Sequence, residues 1–364
     1  MTGREVILDL LTYLPLSSFE GLRPKLFMES NLTVPELYQT IFQPLEYCLL
    51  DGDPSSQITL LNFYTSLLRQ WTVTLLSATP PTNASSSISA LTAHTNLLAL
   101  TVLQTAPSVR THGPVLAFYE TTASLISHPS LQPHIRITTP PSTLVYTLHF
   151  SSSLCTLSRL CAILALYKRA FESAMSKPVP AQSTQGIESQ TPSPNIEPYP
   201  KDYVNHFNGF LMDICNCIWR SRAFNTSDLN ALGCLLPSPL LSLLTSYVAG
   251  LETGLSLSSL FSLSFSPVLC SLSISYFRDL EDKEIEGGGR NEGGEGGGQG
   301  IRARHAGPIT ARSLEKLDKE GGLKLAWPAY RLGVLGHLEA RGVKGVGELM
   351  YKSIKNLMGR ERVA

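Results

Sequence analysis

The chain is short of charge. Asp, Glu, Lys and Arg make up 16% of its 364 residues, against 43% hydrophobic. So few charged groups, combined with abundant Leu and Ser, point to helices buried on more than one side or covered by partners. The motifs of common chemistries are also missing. Residues 287–300 (GGGRNEGGEGGGQG) hold nine glycines in fourteen positions but lack the Gly-Lys-Ser/Thr ending of a phosphate loop. No Gly-x-Ser-x-Gly elbow is present. Asp51-Gly52-Asp53-x-Ser55 faintly resembles a calcium loop, yet its sixth position is Ser56 and its twelfth Asn62, where Gly and Glu are needed. The eight histidines are scattered, mainly beside turn prolines, as at His112, His128 and His134. No spacing proposes a Cys/His or Ser/His/Asp set, and nothing argues for an enzyme, a cofactor or a metal.

The seven cysteines are odd in number and irregular in spacing: Cys48, Cys155, Cys161, Cys215, Cys217, Cys234 and Cys270. Most lie in apolar helical runs, where Cys acts as a small hydrophobe, which implies a reduced intracellular compartment. Cys215-x-Cys217 with His206 on the same expected helix falls short of the four ligands of a structural zinc. The N-terminus has no basic region followed by a cleavable apolar core. Residues 229–251 and 253–277 are uncharged and long enough to raise a membrane span. The second is interrupted by many serines and by Pro267, which weighs against spanning.

What the chain does have is a succession of helical patterns divided by proline turns. Ile7, Leu8, Leu10 and Leu11 lead into Tyr13-Leu14-Pro15, and Val34–Leu50 forms a second apolar run. Asp53-Pro54 then caps and opens a helix to about Ser77, carrying Leu60, Leu61, Phe63, Tyr64, Leu67, Leu68 and Trp71. Further helices are expected over 89–103, from Gly113-Pro114 to Ile126, and over 142–174. Helices continue from Asp202 to Arg222 and through Leu235, Leu241 and Leu255. At 255–277 Leu-Ser alternation also allows strand, with helix favoured.

The sequence therefore predicts an all-α fold, an irregular HEAT-like helical-repeat solenoid with disordered insertions. Its parts are a solenoid over 1–175, a disordered Pro/Ser-rich loop over 176–201, a helical continuation over 202–280, a Gly-rich disordered linker over 281–307 and a basic helical segment over 308–364. In that last segment Pro328 is expected to open one helix and Gly345 to precede another.

Several of these patches resemble the centromere protein I family of the inner kinetochore. They are Ile7–Leu16, Phe19–Leu22, Pro44-Leu45-Glu46, Leu60–Trp71, Trp327-Pro328-Ala329-Tyr330-Arg331, Gly345-Val346-Gly347-Glu348-Leu349-Met350 and Lys355–Met358. Family members are longer, and the resemblance implies that this chain corresponds to their C-terminal half. It further implies a non-enzymatic nuclear scaffold in the constitutive centromere-associated network. Such a scaffold assembles with centromere proteins H, K and M, supports deposition of the centromeric histone H3 variant and sits near centromeric DNA. The alternatives are a helical-repeat adaptor in intracellular transport or vesicle tethering and, behind it, a polytopic membrane protein.

Net charge is zero but uneven. Residues 301–364 hold 13 Lys+Arg against 6 Asp+Glu, a net +7, and residues 1–300 hold 16 against 23, a net −7. Arg331, Arg341, Lys344, Lys352 and Lys355 are therefore the candidates for meeting DNA or an acidic partner, with a solvated basic face as the simpler reading. Trp71, Trp219 and Tyr330 are candidates for a partner interface, with core packing as the default for the two tryptophans.

Overall fold

The computed structural model describes residues 54–77, 80, 84–176, 198–219, 238–251, 256–261, 263–288 and 301–354. Every regular element among them is an α-helix, so the protein is all-α. In chain order these are α1 (Pro54–Ser77), α2 (Ala84–Thr105), α3 (Val109–Ser127), α4 (Ser142–His149), α5 (Leu154–Ser176) and α6 (Lys201–Trp219). Then come α7 (Ser238–Gly250), α8 (Leu257–Leu260), α9 (Pro267–Gly288), α10 (Ala311–Lys319), α11 (Trp327–Ala340) and α12 (Lys344–Ser353). The chain forms two compact units, Met1–Leu148 with Ile163–Asn205, and His149–Ala162 with His206–Ala364. The expected helices over 7–50 lie outside the described residues, as do Cys48, Cys234 and most of the Pro/Ser-rich loop.

In the first unit, α1, α2 and α3 pack on one another. α1 opens at Pro54, whose missing N–H is not needed at the first helical position. It buries Leu60, Leu61, Phe63, Tyr64, Leu67, Leu68 and Trp71, a stripe wide enough to be covered on two sides. The hydroxyls within these helices do not conflict with burial. Thr65 Oγ1 donates to the Leu61 carbonyl, Thr92 to Ile88, Thr95 to Leu91 and Thr122 to Phe118, each at 2.8–3.0 Å. A donor that would otherwise be orphaned is thus satisfied inside its own helix.

α3 begins earlier than Gly113-Pro114. Ser108 caps it, Thr111 completes a reciprocal capping box, and Pro114 sits inside the helix. Pro114 is the sixth helical residue, beyond the first-turn amides that lack partners, so its missing N–H forfeits one backbone bond of the helix. Beyond α3 an extended segment carries its backbone on side chains. Arg136 N–H donates to Ser85 Oγ (2.9 Å), Ile137 N–H to Tyr199 Oη (2.8 Å) and Thr139 N–H to Tyr203 Oη (2.8 Å). The two tyrosine rings stack at 6.4 Å, and both meet Phe171 edge-on.

The single helix expected over 142–174 is two helices. The serine run Ser151-Ser152-Ser153 breaks it, and Ser153 starts α5 by accepting from Thr156 N–H at 3.3 Å. Serine oxygens compete with the helix for backbone amides, so a serine triplet reads as a boundary.

In the second unit the described residues of 256–277 are helical at α8 and along α9, with no strand among them. The stretch is interrupted at 261–266, so its described part is not one span. Among the described residues only α2 is long and apolar enough to cross a membrane by length and composition. Of the linker expected over 281–307, residues 281–288 belong to α9, His305 N–H donates to Glu281 of that helix at 2.7 Å, and 289–300 lie outside the described residues. The C-terminal segment forms three described helices, α10, α11 and α12, where two were expected.

Two glycines allow this segment to close. Gly333 on α11 leaves room for the Tyr276 hydroxyl of α9. Gly345, the second residue of α12, lies against the backbone of α5. A Cβ there would overlap the Ser158 carbonyl oxygen and fall 2.9 Å from Ala162 N, and its N–H donates to Ser158 Oγ at 3.2 Å. His149 is fully buried between the rings of Phe150 (4.8 Å) and Phe265 (4.7 Å), with neither ring nitrogen hydrogen-bonded. Burial drives its pKa down to about 3.

Two outcomes follow. Gly345→Ala forces backbone apart and lowers unfolding free energy by about 3 kcal/mol, read by urea denaturation; wild-type stability would refute the close approach. His149 is neutral in the fold and ordinary when unfolded, so its contribution is intact above the unfolded value of 6.5 and is lost as pH falls from there toward 3. From pH 7 to about pH 5 that loss is about 2 kcal/mol, and His149→Phe flattens the dependence in the same assay. Equal pH slopes for both proteins would contradict it.

Candidate functional site

The basic C-terminal segment is assembled on α9. Glu281 of α9 is fully buried and accepts twice, from Arg278 Nη1 at 2.9 Å and from the His305 backbone N–H at 2.7 Å. The His305 ring stands edge-on to Phe277, and its Nε2 lies 2.8 Å from Ser313 Oγ. Ser313 and Thr310 in turn form the capping box of α10. One buried carboxylate and one imidazole thus tie α9, the 301–310 segment and the start of α10 together. Burial lowers the His305 pKa and the Glu281 carboxylate opposes it, the net effect favouring the neutral imidazole.

The predicted basic residues separate once their partners are known. Arg331 is not a free cation. Its Nη2 donates to the Trp219 carbonyl at 2.6 Å, and its guanidinium lies 4.8 Å from the Trp219 ring centroid and 5.9 Å from that of Trp327. Trp219 is the last described residue of α6, and Arg331 holds its carbonyl and ring from another element. Arg341 is exposed but pairs with Asp279 at 3.9 Å. Lys352 is half-buried and engaged in interactions of its own. Lys344 is exposed with no partner among the described residues. Lys355 lies outside them.

The aromatic candidates are corrected by burial. Trp71 is 5% exposed, Trp219 4% and Tyr330 0%, so none offers a face to a partner. Tyr330 packs among Tyr276, Phe277 and Trp327. Their size signals large contact area, and the chain's own core takes it.

The surplus charge lies elsewhere. Lys316 pairs with Glu320 (3.6 Å), Lys324 with Asp318 (3.8 Å) and Arg304 with Asp282. That leaves Arg302, Arg312 and Lys319 around α10, together with Lys344 on α12, exposed and without an ion pair among the described residues. Arg312 and Lys319 lie seven residues apart on α10, on the side opposite its buried Leu314 and Leu317. Arg302 is fixed beside the end of α10: its N–H donates to the Gly321 carbonyl at 2.9 Å and its side chain runs along Gly321. These residues were passed over because α10 was not expected. Its capping box has Ser, not Glu, at the third helical position, and Gly321-Gly322 follow at once.

Four of the five described cysteines are buried, and Cys155 is exposed. Burial raises the Cys161 thiol and pushes Cys270 up to about 12, with Cys270 Sγ 3.2 Å from the Ser264 carbonyl. Cys215 and Cys217 are buried. Among the described residues no group of three or more His, Cys, Asp or Glu is placed to hold a metal ion. No family model and no curated protein matches the chain.

Arg331→Leu removes a charge-assisted bond and two ring contacts, so unfolding free energy falls by about 2 kcal/mol. Arg331→Lys recovers only part, because an ammonium cannot stack and reach the carbonyl together. Urea denaturation of both variants checks this, and a wild-type midpoint for Arg331→Leu contradicts the clamp.

Proposed function

We propose that the chain is a non-enzymatic scaffold subunit of the inner kinetochore, in the constitutive centromere-associated network. In this role it supports kinetochore assembly and deposition of the centromeric histone H3 variant in the nucleus. The observation that carries the reading is the resemblance of Leu60–Trp71, with Trp327–Arg331 and Gly345–Met350, to the centromere protein I family. What supports it physically is where those residues act. The first block is the buried stripe of α1, the second supplies the Arg331 clamp, and the third holds the closely packed Gly345. An all-α chain of this kind works by surface complementarity, with helix pairs presenting grooves to the apolar stripes of partner helices. Centromere proteins H, K and M are the proposed partners.

A fluorescently tagged copy of the chain is expected at foci coincident with the centromeric histone through the cell cycle. It is also expected to co-purify with proteins H, K and M when the four are co-expressed. Foci on vesicles or membranes, with no co-purification, would sink the reading in favour of an adaptor in transport.

A further inference from the structure

We infer that Arg302, Arg312 and Lys319 form a contact face for the phosphodiester backbone of nucleic acid. This deepens the scaffold reading by naming a partner and a surface, and it is tested separately from localisation.

The argument begins with subtraction. Of the ten cations in residues 301–354, Arg304, Lys316, Lys324 and Arg341 are matched by carboxylates, Arg331 is held by the Trp219 carbonyl and ring, Lys352 is half-buried and engaged, and Lys344 stands exposed on α12. The remaining positive charge of the α10 edge is concentrated on Arg302, Arg312 and Lys319, with Glu315 as the exposed carboxylate left on that helix. Arg312 and Lys319 span about 10 Å along the axis at 1.5 Å per residue. Arg302 extends the row at the Lys319 end, where its stem lies on Gly321 and is held in place before any ligand arrives. Arg312 stands in the first turn of α10, whose positive pole adds to it.

The kind of partner follows from what surrounds these cations. Protein interfaces draw affinity from apolar or aromatic anchors seated near their centre. No large hydrophobic side chain is strongly exposed anywhere among residues 301–354. A protein partner would find charge here without an anchor. A phosphate backbone needs none, because it binds through charge neutralisation and release of counterions.

The test is fluorescence anisotropy of the full chain with a 30-base-pair duplex DNA of random sequence over a salt series. Three phosphate contacts give a slope of log affinity against log salt of about −2.7. The triple variant Arg302→Gln, Arg312→Gln, Lys319→Gln is expected to lose at least tenfold in affinity at low salt and most of that slope. The double variant Lys324→Gln, Arg341→Gln, which alters paired cations, is expected to bind nearly as wild type. All five side chains are exposed, and circular dichroism checks the fold. Absence of DNA binding, an unchanged slope in the triple variant, or an equal loss in the double variant would overturn the assignment. Binding to polyglutamate with none to DNA would overturn it in favour of an acidic protein.

Discussion

Hydroxyl groups bonded to the carbonyl four residues back govern how this chain can be a helical protein at all. Its helices carry threonine and serine among their leucines, and in water-free surroundings an unpaired hydroxyl is costly. Thr65, Thr92, Thr95 and Thr122 each solve this inside the helix that bears them. These four hydroxyls need no polar partner from a neighbouring helix, whereas Tyr119 Oη of α3 donates to Asn96 Oδ1 of α2. The same chemistry sets a boundary after Ser151-Ser152-Ser153, where the Ser153 hydroxyl accepts from Thr156 N–H ahead of a new helix at Leu154.

Packing in the second unit is closer than side chains alone would allow. Gly345 brings α12 onto the backbone of α5, and Gly333 admits the Tyr276 hydroxyl against α11. Arg331 bonds the Trp219 carbonyl of α6 and lies over its ring. A guanidinium, an indole and two missing Cβ atoms therefore join residues far apart in sequence. These contacts explain why the C-terminal segment belongs to the same unit as residues 149–162 and is not an appendage on a glycine linker.

Charge is where simple counting misled. A net +7 over residues 301–364 is real, but a sum does not say which cations are available. Proximity to Asp279, Asp282, Asp318 and Glu320 neutralises some, and the Trp219 carbonyl occupies another. Of the cations singled out from sequence, Lys344 remains both exposed and unpaired among the described residues. The aromatic candidates Trp71, Trp219 and Tyr330 lie on apolar helix patterns, which is also what places them in the core.

Helical class was legible in the sequence because apolar periodicity and proline turns are local signals that tertiary contacts seldom reverse. Pro54 and Pro328 marked true helix starts for the same reason. Boundaries were less legible: Ser108 starts α3 ahead of Gly113-Pro114, and α10 went unseen, because caps depend on side-chain geometry as well as residue type. Burial of Trp71, Trp219 and Tyr330 was decided only in three dimensions, since a large aromatic serves a core and an interface equally well until its neighbours are known. The pairing of cations was decided there too, because an ion pair is a distance between residues, such as Arg341 and Asp279, that no single helix contains.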